Sequence, residues 1–253
     1  NRWLVDWCNE YPERRAGVGQ IFLNDVDDAI ADVRWIKENG LRGGILLPNI
    51  APDVKWVKPL YDRCYDPLWQ VLQDLEVPIN IHSGSGNPDY GPYPVSMLLY
   101  INEVPFYTER PLVQLILSGV FERFPRLKVV LTEAGCAWVP PLLERLDTNI
   151  RSIRDTGATG EIRYGADHIL PKDATEYFHQ NVWMGVSQPR QADADARHII
   201  GLDKFMWGSD YPHDEGTYPY TRENLRARFS DAPEAEMRKI LAGNAAEMYG
   251  FDL

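Results

Sequence analysis

The chain is short of cysteine, of positive charge and of uninterrupted apolar sequence. Its three cysteines, Cys8, Cys64 and Cys136, are odd in number and form no Cys-x-x-Cys pair, which argues against a disulfide framework and a thiolate zinc site. Lys and Arg total 26 against 37 Asp and Glu, a net charge of -11. A surface this acidic repels polyphosphate, so nucleic acid is not an expected partner. No run nears the roughly 18 apolar residues that a bilayer crossing requires, and the first residues show no basic stretch followed by an apolar one and a small-residue cleavage site. No membrane partner is expected, and the cytosol is the default compartment. Internal repeats, low-complexity segments and linkers are also absent.

What is present is the composition of a globular protein: 253 residues, 44% hydrophobic and 25% charged. That length suits one domain over 1–253, and it is typical of a single α/β barrel. Short β-rich runs at Gly17 to Leu23, Gly43 to Leu47, Val77 to His82, Leu127 to Glu133, Val182 to Ser187 and Lys204 to Gly208 alternate with amphipathic stretches. Mostly apolar strands of this kind are buried on both faces, and helical crossovers make them parallel. Between the first two, Asp25 precedes the helical pattern Val26, Ala29, Ile30, Val33, Ile36, and Gly40 stands where a helix ends. Further helices are expected over Pro67 to Leu75, Met97 to Phe121, Pro140 to Arg154, Gln191 to Ile200, Tyr220 to Phe229 and Pro233 to Leu241. The spacing of Trp3, Leu4 and Trp7 places the first residues inside a helix too.

Polar residues gather at strand ends, where core packing does not demand them. His82 closes Pro-Ile-Asn-Ile-His, Glu133 closes Val-Val-Leu-Thr-Glu, and Asp210 follows Met-Trp-Gly-Ser. Singly, each reads as a hydrogen-bonded strand end. Together, at the C-terminal rim of a parallel barrel, an imidazole and two carboxylates suit a divalent cation, zinc or manganese, which would lower the pKa of a bound water. His213, three residues beyond Asp210, is placed to orient it, to touch substrate or to cap the next helix. Asp89 and Tyr90, with Tyr93, lie in the loop after His82, and Trp138 follows Glu133, so they are placed to line a pocket for a flat or apolar ligand. Trp183 and Trp207 read as core, and His168, His179 and His198 as structural. The Ser83-Gly84-Ser85-Gly86 stretch has no Lys-Ser/Thr ending and is not a phosphate loop, while Ser209 lies outside any Gly-x-Ser-x-Gly elbow.

Ile-His-Ser-Gly at 81 to 84, Leu-Thr-Glu-Ala-Gly at 131 to 135 and Trp-Gly-Ser-Asp-Tyr-Pro-His at 207 to 213 resemble the amidohydrolase-2 family. This is the branch of the amidohydrolase superfamily that includes aminocarboxymuconate semialdehyde decarboxylase. Gly-Val-Phe-Glu-Arg-Phe-Pro-Arg-Leu-Lys at 119 to 128 and Gly-Asn-Ala-Ala-Glu-Met-Tyr-Gly at 243 to 250 are similar to its approach to a metal-site strand and its C-terminal helix. The resemblance implies a metal-dependent (β/α)8 TIM barrel, with the six strands above as its last six. Two strands, the first of them carrying a ligand pair, are then expected upstream of Asn1. It also implies His82 as a metal ligand and Asp210 as both ligand and proton carrier. Glu133 departs from the family, in which a histidine is common there; a glutamate would serve as general base or further ligand.

The leading expectation is a hydrolase in which metal-activated water, deprotonated with help from Asp210, attacks a small organic acid, amide or lactone. The alternative is non-oxidative decarboxylation of a small aromatic or unsaturated acid, and a third reading is a non-catalytic ligand-binding barrel. Zinc is the first choice of metal and manganese the second. The expected partner is a small-molecule substrate, with homo-oligomerisation left open.

Overall fold

The computed structural model describes residues 1–252; the side chain of His168 lies outside the described residues, and with it the structural reading given to that histidine. Six strands form one parallel sheet in the order β1 (Val18–Gln20), β2 (Gly44–Leu46), β3 (Ile79–His82), β4 (Val129–Thr132), β7 (Val182–Ser187), β8 (Phe205–Gly208). The remaining two, β5 (Ala158–Thr159) and β6 (Ile162–Arg163), pair with each other as a small antiparallel ladder that the sequence did not announce. Parallel strands running in chain order, with helices in the crossovers, are the architecture of the α/β TIM barrel. The six sheet strands fall within the six runs expected, mostly shortened at the ends. The run Gly17 to Leu23, for example, keeps only Val18–Gln20 as ladder.

Local chemistry explains the crossovers. The Asp25 carboxylate accepts the backbone N–H groups of Asp27 at 2.8 Å and Asp28 at 3.1 Å, capping the helix Val26–Glu38. Ala29, Val33 and Ile36 follow at helical spacing and are fully buried against the sheet. The stretch expected as one helix over Met97 to Phe121 is two, Ser96–Leu117 and Val120–Arg123, because Gly119 adopts φ 70 and ends the first. A helix not anticipated, Ala174–Asn181, does have a sequence signal: the Glu176 side chain accepts the Asp173 backbone N–H at 2.9 Å, a capping-box contact.

Strand alternation divides the core. Val129, Leu131, Val182, Met184, Val186 and Phe205 join the large cluster shared with the helices. Val130 and Met206 point the other way and pack with Met248, Trp183 and Tyr249, so the helix Asn244–Tyr249 covers the opposite face. Asn80 is buried on that face, yet both ends of its amide are satisfied. Its nitrogen donates to the carbonyls of Gly43 at 2.7 Å and Ile45 at 3.1 Å, and its oxygen accepts the Tyr249 hydroxyl at 2.8 Å. Burial pushes the Tyr249 phenol up to about 12, so it remains a donor. The three cysteines are free thiols. No helix among the described residues is long and apolar enough to cross a membrane.

Two glycines test this packing. Gly44 has φ 79, and a Cβ there would lie 2.1 Å from the Pro78 carbonyl oxygen, whereas Gly40, at φ 76, has open space around it. Gly40→Ala should cost about 1 to 2 kcal/mol, the price of the left-handed backbone alone. Gly44→Ala should cost at least twice that, because β2 must also move away from β3. Urea denaturation of the two variants side by side measures the difference, and equal losses would contradict the packing described.

Candidate functional site

The parallel register brings four strand ends together. His82 pairs with Thr132 at the top of β3 and β4, Thr132 with Gly185 across β4 and β7, and Ser187 with Gly208 across β7 and β8. Just beyond these pairs stand Glu133, Gln188 and Asp210, with φ of 63, 48 and 57. They are three of the four non-glycine residues with positive φ among those described. Left-handed backbone costs an ordinary side chain about 1 to 2 kcal/mol, and strain concentrated at one rim points to function.

The side chains converge as the sequence led one to expect. His82 Nε2 lies 2.6 Å from Glu133 Oε2. His213 Nδ1 lies 3.3 Å from Asp210 Oδ1, 3.8 Å from Glu133 Oε1 and 3.7 Å from Glu215 Oε1. Glu133, Asp210, His213 and Glu215 each offer an atom within 4.8 Å of the others and could hold a divalent metal. Glu133 and Asp210 are largely covered, their side chains 18% and 11% exposed, whereas His82 and His213 are half open to the cleft. That cleft, about 520 Å³, is lined by His82, Tyr100, Ile101, Val104, Glu133, Ser187, Gln188, His213 and Glu215, with no lysine or arginine in its wall. A larger cavity of about 680 Å³ lies in the helical layer around Leu117, Ser118, Arg123 and Leu170, remote from the strand ends.

Proton bookkeeping at His82 tests whether a cation fits. Its Nδ1 sits 2.7 Å from the Ser83 carbonyl, an acceptor, so Nδ1 carries a proton. Nε2 then faces a carboxylate oxygen at 2.6 Å, a contact that requires a proton or a cation between two otherwise repelling lone pairs. Glu133 Oε2 is buried with no aligned hydrogen-bond donor among the described residues. An orphaned carboxylate oxygen, imidazole nitrogens and further carboxylates form a donor set that fits zinc or manganese.

A buried carboxylate fixes the loops that carry this set. Asp193, 1% exposed, accepts the backbone N–H groups of Cys136 at 2.7 Å and Ala137 at 2.9 Å on one oxygen and that of Arg190 at 2.9 Å on the other. It thereby ties the segment after Glu133 to the segment after Gln188. Burial alone would raise its pKa, but the three N–H donors outweigh burial and hold it below the ordinary carboxylate value.

Other expected residues lie elsewhere. Asp89 is exposed and its carboxylate accepts the Gly91 N–H at 2.8 Å; the Tyr90 hydroxyl donates to Glu103 at 2.6 Å; Trp138 donates its indole N–H to the Ala134 carbonyl at 3.0 Å and packs on the core. None of the three lines the cleft, because each spends its polar atoms locally. His213 does not cap the next helix, which begins only at Thr221. His179 and His198 are also away from the cleft, against Phe178 and near Glu236. Sequence reasoning missed Gln188, whose amide nitrogen donates to Asp210 Oδ2 at 3.0 Å, and Glu215. A polar residue directly after a strand was the available signal for Gln188, and Glu215 closes a His-Asp-Glu run.

The chain belongs to the amidohydrolase family, whose sequence model matches residues 1–251. It is 27% identical over 258 residues to the gamma-resorcylate decarboxylase of Polaromonas sp. (strain JS666), covering 98% of this chain and 74% of the relative. Among solved structures it is similar to the amidohydrolase map2389c from Mycobacterium avium subsp. paratuberculosis K-10, with 27% identity and a TM-score of 0.72. That match covers 93% of this chain but 58% of the other, so the chain spans little more than half of that neighbour's length. The dihydroxybenzoic acid decarboxylase from Polaromonas sp. JS666, solved with bound manganese and the inhibitor 2-nitroresorcinol, shares the fold at a TM-score of 0.71 and 22% identity. The match covers 98% of this chain and 73% of that one.

The Asp193 tie sets an acid limit on stability. A carboxylate whose folded pKa lies below its ordinary value of 3.8 contributes stability that is present above that value and lost as pH falls through the folded pKa. Asp193→Asn should therefore lower stability by about 1 to 3 kcal/mol at neutral pH, since the amide leaves a backbone donor unpaired. The gap to the parent should narrow below about pH 4. Denaturation curves between pH 7 and pH 2 check this; a gap that stays constant to the lowest pH would refute it.

Proposed function

We propose that the chain is a divalent-metal-dependent, non-oxidative decarboxylase of a small hydroxylated aromatic acid. The observation that carries the reading is the cleft itself, where carboxylates and imidazoles gather without a lysine or arginine beside the apolar wall of Ile101 and Val104. The named relative acts on gamma-resorcylate, which moves the balance from hydrolysis, the first expectation, to carbon–carbon bond cleavage. Manganese becomes the first choice of metal over zinc because the dihydroxybenzoic acid decarboxylase carries it.

His82, Asp210 and Glu133 are the residues that would hold the ion, with His213 beside them for proton exchange. When bound, the metal would supply the positive charge that draws an anionic substrate into an acidic cleft and offsets charge developing on it. Asp210 has its Oδ2 engaged by Gln188 and its Oδ1 turned towards His213. In its acid form it delivers a proton to the ring carbon that bears the carboxylate. The electron pair of the breaking carbon–carbon bond stays on that carbon, the new C–H bond uses it, and carbon dioxide leaves. His213, 3.3 Å from Oδ1, returns a proton to Asp210 for the next turnover. Glu133 holds the His82 ring in place and serves as a second acceptor. Ile101 and Val104 offer the ring an apolar surface at the side of the cleft.

The test is to offer the full-length protein 2,6-dihydroxybenzoate and related hydroxybenzoates with manganese, following carbon dioxide release, and in parallel a panel of small amides and lactones. Decarboxylation of one acid, abolished by chelation and restored by manganese, is the expected result. Hydrolysis of an amide or lactone with no carbon dioxide release would return the site to hydrolase chemistry, and saturable binding without turnover would leave a ligand-binding barrel. Asp210→Asn should cut turnover by a factor of roughly 10² to 10⁴ with the fold intact, since the amide keeps the shape but cannot carry the proton. Glu133→Gln should also slow turnover, and a near-parental rate would reduce Glu133 to scaffolding.

A further inference from the structure

We propose that Gln188 is the positioning residue for Asp210, selecting which of its two carboxylate oxygens faces the reacting centre. The proposal rests on the role given above to Asp210. A carboxylate only accepts, so the side of the Gln188 amide 3.0 Å from Asp210 Oδ2 is the N–H side. Oδ2 is thereby committed, and Oδ1 is the oxygen left to meet His213 and the cluster.

Three observations make this contact a built feature. Gln188 and Asp210 both stand in left-handed backbone, at φ 48 and 57, one and two residues beyond the paired ends of the neighbouring strands β7 and β8. Glutamine gains nothing from that conformation by itself. Its side chain nonetheless lines the cleft wall. The following segment is pinned by the Arg190 N–H on buried Asp193, so the strained residue sits between two fixed points.

The chemical type of the donor matters as well. Lysine or arginine at this position would pair with Asp210 more strongly, but would cancel the negative charge on which cation binding depends. A neutral amide orients the carboxylate and leaves its charge in place. A neighbouring donor of this kind, acting on a ligand without touching the ion, typically changes metal affinity by 10- to 100-fold when removed.

Gln188→Gly and Gln188→Ala in the full-length protein separate this role from a structural one. Manganese affinity is measured by calorimetric titration, kcat and KM with 2,6-dihydroxybenzoate, and melting in metal-free buffer. Both variants should bind manganese roughly 10- to 100-fold more weakly and lose kcat by more than they change KM. Gln188→Gly should melt no lower than the parent, because glycine relieves the left-handed backbone. A residue that only supported the fold would lose stability and function together. Manganese affinity and kcat within twofold of the parent in Gln188→Gly would overturn the proposal. Should the parent itself take up no manganese and decarboxylate nothing, the reading of the site falls, and a crystal structure of Gln188→Gly decides the positioning role. A rotated Asp210 carboxylate supports it, and an unmoved one ends it.

Discussion

Mutual repulsion among Glu133, Asp210 and Glu215 is the constraint that the surrounding structure has to contain. Their oxygens approach within 4.8 Å of one another around His213, and the cleft wall offers no lysine or arginine. At about 4 Å two like charges repel by roughly 1 kcal/mol in water and roughly 4 kcal/mol at an effective dielectric constant near 20, and Glu215, with its side chain 63% exposed, lies towards the lower figure. The chain cannot relax by separating the strands, because Glu133 and Asp210 lie just past continuous parallel ladders, and the Glu133 N–H extends one of them to the Gly185 carbonyl at 3.1 Å. Nor can the loops swing away independently, since Asp193 holds the segments after Glu133 and Gln188 on one buried carboxylate.

That containment depends on stability stored elsewhere. The cluster between sheet and helices is apolar and almost wholly buried, from Val33 and Leu68 to Met184 and Phe205. The opposite face is closed by Met248 and Tyr249 of the last helix, with the Tyr249 hydroxyl locked to Asn80. Neither region contributes an atom to the cleft wall. The left-handed residues Glu133, Gln188 and Asp210, by contrast, sit at the one rim where chemistry is expected. A barrel separates these duties because its strands are long enough to pack at their centres and end where packing no longer dictates side-chain identity.

The same separation explains what could be read from the sequence. His82, Glu133 and Asp210 were legible because each interrupts an apolar run at its C-terminal end, and parallel pairing turns that one-dimensional position into a shared rim. Chain proximity was a poorer guide. Asp89, Tyr90 and Trp138 follow the right strands, but their hydrogen bonds to Gly91, Glu103 and Ala134 turn them to local duties that no spacing rule reveals. Gln188 was hidden because Ser-Gln-Pro reads as an ordinary strand exit, and its left-handed backbone is set by tertiary contacts, not by glutamine's own preference. The hairpin of β5 and β6 is only two residues per strand and carries too little pattern to register.

Charge also imposes an order on events at the cleft. On the proposed function, an aromatic carboxylate approaching Glu133, Asp210 and Glu215 unaided would meet like charge, with the His82 and His213 imidazoles as its best partners. Protonating both histidines would supply two positive charges, but on two half-exposed rings where solvent screens them. A divalent cation would supply the same two charges at one point among the carboxylates and leave His213 free to take up a proton and return it to Asp210. On the reading proposed above, compensation would precede substrate, and the acid would then arrive at a centre with little net charge. Under this order the acidity of the cleft would work as a filter, rejecting anions until the ion is in place. The neutral Gln188 amide would preserve that filter, since a fixed cationic side chain in its position would admit acids to a site unable to act on them.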